Sequence, residues 1–275
     1  MTEYGQDARL TYSEYLHVPQ ILREQACLSD PPAHDELQFI VVHQVYELWF
    51  KLVLFELDEV RRRIDAGSDL DLRTAARLCR RVETIFKVLV QQIHVLETMR
   101  PVDFLAFRTR LKPASGFQSV QFREVECLMG LKGEALMKRV QGDPRLPVLQ
   151  ARAEGDTIPD ALYRTLAARG LQITPPDAAR TPAQRDATLA ALRVVYEDPD
   201  AHAPVHDLCE ALLDLDEQLI LWRRHHVMMV ERQIGDKPGT GKGRTGDLDG
   251  IRYLQTTLGK RALPDLWDVR SVLAD

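Results

Sequence analysis

Cysteine is scarce and dispersed in this chain. Cys27, Cys79, Cys127 and Cys209 are its four cysteines, none within a C-x-x-C spacing, which excludes a local thiolate metal site and reads as reduced, buried thiols. Basic charge is not in excess either. Lys and Arg number 36 against 41 Asp and Glu, a formal net charge of −5, so neither nucleic acid nor an anionic membrane surface is an expected partner. No apolar run approaches the roughly 18–20 residues of a membrane span. The opening "MTEYGQDARLTYSEYL" has no apolar signal core, and the expected location is cytoplasmic. Two-residue alternation is almost absent, so strands are not expected.

What the chain does have is the 3.6-residue period. From Asp35 to Ile64 apolar residues recur at three and four, with Asp35 placed as a cap or first-turn acid. Leu72–Met99 reads the same way and is followed by Pro101, and Leu208–Ile234 is a third long helix stopped by Gly235 and Pro238. Shorter helical pieces fit Tyr12–Cys27, Phe117–Met129, Gly133–Arg139 and Thr181–Tyr196. A Pro-rich middle, residues 142–186, reads as small helices and turns packed on the main bundle. The expectation is one all-α domain over residues 1–275, a bundle of long antiparallel helices able to hold a ligand, with residues 1–30 as an N-terminal arm.

The histidines decide what that ligand could be. On the third long helix, Leu212, Leu215, Leu219, Trp222, His226 and Met229 follow steps of 3, 4, 3, 4 and 3, so His226 lies within the core-facing stripe. Its neighbour His225 is rotated by about 100°, toward Gln218, Leu221 and Arg232. His43 repeats the inward position on the first long helix, with Phe39 and Glu47 four residues to either side. Zinc wants three or four ligands at spacings such as H-E-x-x-H, and none is present. His202 and His206 are four apart, but Pro204 between them points to a solvated turn. Two inward histidines on different helices suit a planar cofactor held by one of them, with the second on its far side. Haem, whose iron takes a single proximal histidine in many proteins, is that kind of group.

Two further clusters stand out. "GTGKG", from Gly239, fails the phosphate-loop frame, with Asp236 where a Gly belongs and Gly243 where Ser or Thr belongs. A flexible helix cap and a backbone cradle for a small anionic group both remain open there. In "DFLAFRTRLKPASGFQSVQFREVE", Arg108 follows Phe104 by one helical turn, which serves either a carboxylate clamp or a surface stack on the ring.

Taken together, "HDELQFIVVHQVYELWFKL", "FRTRLKPASGFQSVQFREVE" and "WRRHHVMMVERQIGDKPGTG" resemble the tryptophan 2,3-dioxygenase family in order and spacing, supported by "LTYSEYL" near the start and "LPDLWDVRSVL" near the end. The resemblance implies a haem b enzyme, ferrous when active, that adds both atoms of O₂ across the indole C2–C3 bond of L-tryptophan to give N-formylkynurenine. It implies His226 as the proximal iron ligand and His43 as the distal acceptor for the indole N–H. Phe39 and Phe104 match aromatics of the indole pocket, Arg108 the partner of the substrate carboxylate, Ser115 a serine at the haem edge, and Thr240 a contact to the amino-acid head group. Tyr12, Tyr15 and Leu16 match N-terminal positions that reach a neighbouring subunit's site, which implies a homotetramer. The loop departs from the family pattern in carrying Lys242 and Arg244, and His225 stands where Arg is common. Those departures keep open a haem oxygenase acting on a substituted tryptophan or a tyrosine. A haem or tryptophan sensor without activity is the reading from another class, and Arg108 and His43 count against it.

Overall fold

The computed structural model describes residues 10–133, 137, 140–176, 179–235, 237 and 251–274, and no strand occurs among them. The chain is all-α. The expected helix over Tyr12–Cys27 is instead two short pieces, α1 (Tyr12–Tyr15) and α2 (Val18–Ile21), separated by His17 in the left-handed region at φ 52°. Pro19 is the cause. It has no N–H for the Tyr15 carbonyl and its ring would collide with that group, so the chain turns first and Pro19 sits harmlessly in the first turn of α2. A buried carboxylate then ties this arm down: Glu36 accepts from the backbone N–H of Leu28 at 2.6 Å and of Ser29 at 3.0 Å, and from the Ser29 hydroxyl.

Two long helices follow, α3 (His34–Ala66) and α4 (Asp69–Glu97). Gly67, at φ 72°, reverses the chain between them in a conformation that a Cβ would strain, and the Ser68 hydroxyl caps α4 through Asp71 N–H. Next come α5 (Pro101–Arg108) and, after a 3₁₀ turn at Gly116–Gln118, α6 (Val120–Leu128). The expected helix over Phe117–Met129 therefore starts late, because Ser119 caps α6 through Phe122 N–H. Most of the expected Gly133–Arg139 helix lies outside the described residues. In the Pro-rich middle, α7 (Leu146–Glu154) and α8 (Ile158–Ala168) each carry a proline in the first turn. The chain closes with α9 (Pro182–Glu197), α10 (Ala203–Ile234), α11 (Ile251–Thr257) and α12 (Pro264–Asp268).

Pro204 does not break the chain as expected. It occupies the first turn of α10, where its missing N–H is no loss, so His202 stands just before the helix without a side-chain capping bond and half-buried His206 lies within it, its ring 5.2 Å from that of Tyr196. Of the four cysteines, Cys79, Cys127 and Cys209 are buried and unpaired, while Cys27 is only half-buried.

Helix α4 is the spine of the bundle. Both α3 and α10 pack along it, yet they hardly approach one another. The directions are mixed. α3 runs antiparallel to α4 and to α10, as expected, but α4 and α10 run parallel: Arg80 pairs with Asp207 near one end, His94 meets His225 further along, and Gln233 bonds Leu96 O and Met99 O at the other. The long excursion through α5–α9 returns the chain to the starting end and makes this direction possible. Among the described helices α3 alone is long and apolar enough by composition to cross a membrane, although His43, Gln44, Glu47 and Lys51 interrupt its apolar run. Leu37, Val41, Leu48, Leu52 and Phe55 form an exposed apolar row on it.

The C-terminal segment is held by one buried acid. Asp216, fully buried on α10, accepts from Ala262 N–H at 3.0 Å, Leu263 N–H at 3.3 Å and Trp267 Nε1–H at 3.0 Å. Asp216→Ala leaves those donors without an acceptor. It is expected to lower the unfolding free energy by about 3 kcal/mol, and Asp216→Asn by about half as much. Guanidinium titration of both variants checks this.

Candidate active site

The space between α3 and α10 is a cavity of about 510 Å³, also lined by α5, α6 and α11. Its floor is aromatic. The ring centroids of Phe122 and Trp222 lie 4.6 Å apart, Phe50 and Phe122 5.3 Å, and Tyr46 and Phe50 5.9 Å. The Tyr46 hydroxyl is spent on Leu89 O at 2.7 Å, so the floor presents carbon rather than a free hydroxyl.

The inward stripe of α10 lies where the sequence places it: Leu212, Leu215, Leu219, Trp222 and Met229 are buried, and His226 lines the cavity between the last two. The His226 ring lies parallel to Trp222, 5.2 Å between centroids with 4° between planes. Burial pushes its pKa down to about 4, with the charge of Arg123, and of His43 when that ring is protonated, acting the same way, so at neutral pH it is an uncharged imidazole with a lone pair to give. His225 does not line the cavity and instead meets His94 edge-on at 5.6 Å.

His43 faces the same space from α3. Burial lowers its pKa too, against the opposing pull of its bond to Phe39 O and of Glu47. Its Nδ1 lies 2.7 Å from Phe39 O, and a carbonyl can only accept, so Nδ1 carries the proton. In the neutral ring Nε2 is then an acceptor. Phe39 stacks on Phe104 at 5.6 Å and meets the His43 ring at a tilt, 4.1 Å between centroids, making an apolar slot beside that nitrogen. Arg108, the last residue of α5, and Ser115 complete the rim. The structure therefore brings together Phe39, His43, Phe104, Arg108, Ser115 and His226. Tyr12, Tyr15 and Leu16 are exposed and do not line the cavity of their own chain, and Thr240 lies outside the described residues.

A model of the tryptophan 2,3-dioxygenase family matches residues 2–146 and 160–273. The chain belongs to the tryptophan 2,3-dioxygenase family. Curated tryptophan 2,3-dioxygenases similar to it include one from Nocardioides sp., 46% identical over 98% of this chain and 96% of that protein, and one from Anaeromyxobacter sp. strain K, 43% identical over 97% of each. One from Caulobacter vibrioides is 40% identical over 96% of this chain and 98% of its own length.

In this member of the dioxygenase family the cavity also holds charged groups that sequence pattern does not flag. Arg123 and Glu126, one turn apart on α6, are buried and 2.5 Å apart, and Arg223 of α10 lies 3.6 Å from the same carboxylate. Two guanidinium groups thus face one carboxylate on the wall. The only signal in the sequence is the i, i+3 spacing of Arg123 and Glu126 in a helix that also carries Gln121 and Glu124, which reads equally as a solvated pair.

The two depressed histidines predict a pH dependence in haem-free protein. An unfolded imidazole titrates near 6.5, whereas folded His226 stays neutral down to about 4, so the unfolded chain binds more protons in that window. Stability is therefore expected to fall as pH drops from about 6.5 toward about 4, and His226→Leu to remove roughly 2 kcal/mol of that fall. Urea titrations of both proteins across the window measure it.

Proposed function

We propose that this protein opens the indole C2–C3 bond of L-tryptophan with O₂ to give N-formylkynurenine, with haem b held between α3 and α10. The observation that carries this reading is the pair of neutral histidines facing one apolar cavity, beside an aromatic slot and an arginine rim. Both oxygen atoms enter the product, so the reaction balances with no external reductant.

The residues present fit haem. Among the described residues no cluster of three or more His, Cys, Asp or Glu could hold a bare metal ion, which suits a group that brings four ligands of its own. His226 would supply the protein ligand to the iron. Arg123 Nε and Trp222 Nε1 are buried donors on the cavity wall with no hydrogen-bond partner among the described residues. The carboxylates of a porphyrin edge would accept from such donors. When bound, the ferrous haem supplies the activation of O₂.

The chain's own groups bind and orient the substrate. The indole lies in the slot of Phe39 and Phe104, with its N–H donated to His43 Nε2; left unmet, such a buried donor costs about 1–3 kcal/mol. Arg108 pairs with the α-carboxylate in a two-point fork that also fixes direction. Ser115 and, from the loop, Thr240 complete the head-group environment. Tyr12, Tyr15 and Leu16 serve the site of a neighbouring copy in a homotetramer. Their exposure, and that of the apolar row on α3, supports that assembly.

The test is O₂ uptake by the reduced, haem-loaded protein with L-tryptophan, followed by the product's mass. A gain of two oxygens is expected; one would make it a monooxygenase, and none would favour a sensor. His226→Ala is expected to abolish stoichiometric haem binding while His225→Ala retains it. Absorbance titration with haem separates the two, and equal retention would overturn the ligand assignment.

A further inference from the structure

The first half of α3 presents three rows of side chains, each rotated by about 100° from the next. Leu37 and Val41 face outward and are exposed. Phe39, His43 and Glu47 line the cavity. Between these rows, Gln38, Val42 and Tyr46 lie on the seam with α4, and each takes part in a bond across it. Gln38 Nε2 donates to Val95 O and, at 3.1 Å, to Thr98 Oγ1. Gln92 Nε2 donates to Val42 O at 2.7 Å, and the Tyr46 hydroxyl to Leu89 O at 2.7 Å. The three rungs step by four along α3 and by three along α4, in opposite directions, as an antiparallel pair requires. Each acceptor is a helical carbonyl whose second lone pair takes the extra bond.

This half of the helix needs the rungs. From Phe50 onward α3 is fixed by packing, with Phe50, Val53, Leu57, Val60 and Ile64 all buried. Between His34 and Glu47 the buried residues are Glu36, Val42 and Tyr46. One side there faces an open cavity and the outward side is apolar too, so burial of carbon hardly distinguishes one roll of the helix about its axis from another. Hydrogen bonds are directional and do distinguish them. Gln121 of α6 fastens Glu47 O at 2.8 Å, one turn further along, but Gln92 holds the turn that carries His43 itself.

The lever arm makes the roll matter. An imidazole nitrogen about 6 Å from the helix axis moves by about 2 Å when the helix rolls by about 20°. A hydrogen bond tolerates only about 0.5 Å in length. Under the tryptophan reading, on which this inference rests, His43 Nε2 accepts the indole N–H. We propose that Gln92 and Tyr46 are positioning residues that set the roll of α3 and thereby aim Nε2 at that proton. The preference for an unsubstituted indole nitrogen is then decided by bonds on the α3–α4 seam, which make no contact with the substrate.

The test compares L-tryptophan with L-1-methyltryptophan, in which a methyl group replaces the indole N–H proton. Dissociation constants for both are read from the optical change of the ferrous holoenzyme without O₂. Gln92→Met removes one donor, Tyr46→Phe removes the hydroxyl and keeps the ring, and Gln92→Lys keeps a donor for Val42 O. The double variant Gln92→Met, Tyr46→Phe is expected to lose about tenfold of the preference for tryptophan, with the methylated ligand unchanged within about twofold. Gln92→Lys is expected to keep the wild-type ratio, and in a His43→Ala background the double variant to change the ratio no further. Should the double variant fail to fold or to hold haem, Tyr46→Phe alone decides, by a smaller shift of the same sign. Equal weakening of both ligands, an unchanged ratio, or the same loss in the absence of His43 overturns the proposal and leaves the tryptophan reading standing. Failure of the wild type to bind either ligand overturns both.

Discussion

Helix α4 is the shared partner on which the rest of the molecule depends. Because α3 and α10 each pack along it, neither needs the other for its burial, and the space between them can be left to a ligand. Close packing is otherwise the rule in protein interiors, and an open space lined by carbon forfeits dispersion on every wall. The aromatic layer of Tyr46, Phe50, Phe122 and Trp222 limits that loss by making the floor dense and rigid. It also sets the angle from which His226 looks into the space, since that ring lies parallel to Trp222. Preorganised geometry and a burial-depressed imidazole thus share one cause.

The cavity divides its chemistry by location. Donors lie with Arg123 and Trp222, an acceptor with Gln233, and apolar rings between. A ligand that fits must carry its charges in a matching order, and an uncharged hydrocarbon of the same shape would leave each polar group desolvated and unmet. The arrangement discriminates by the penalty of mismatch as much as by the attraction of a match.

Much of this was legible in the sequence, and the exceptions have definite reasons. The three long helices, and the inward position of His226 rather than His225, follow from the phase of a 3.6-residue stripe, which depends only on local order. The two prolines misread, Pro19 and Pro204, fail in opposite senses. One was read through and the other was read as a breaker, although each stands in the first turn of a helix, a position that shows only once the cap is seen. Arg123, Glu126 and Gln233 escaped because their partners come from other elements: Arg223 on α10, and Leu96 and Met99 at the end of α4. The parallel run of α4 and α10 escaped for a similar reason, since periodicity reports a face and not a direction.

That parallel run has a consequence for how the molecule is made. Helices α3 and α4 are neighbours in the chain and can form a hairpin as soon as both have left the ribosome. Helix α10 cannot join them until the whole excursion through α9 has been synthesised, and it brings His226 with it. The half of the site on α3 therefore waits, open and greasy, for a wall encoded near the far end of the message. Closure of the cavity becomes a late event in the life of the chain, and a truncated product would carry His43 with no His226 opposite it.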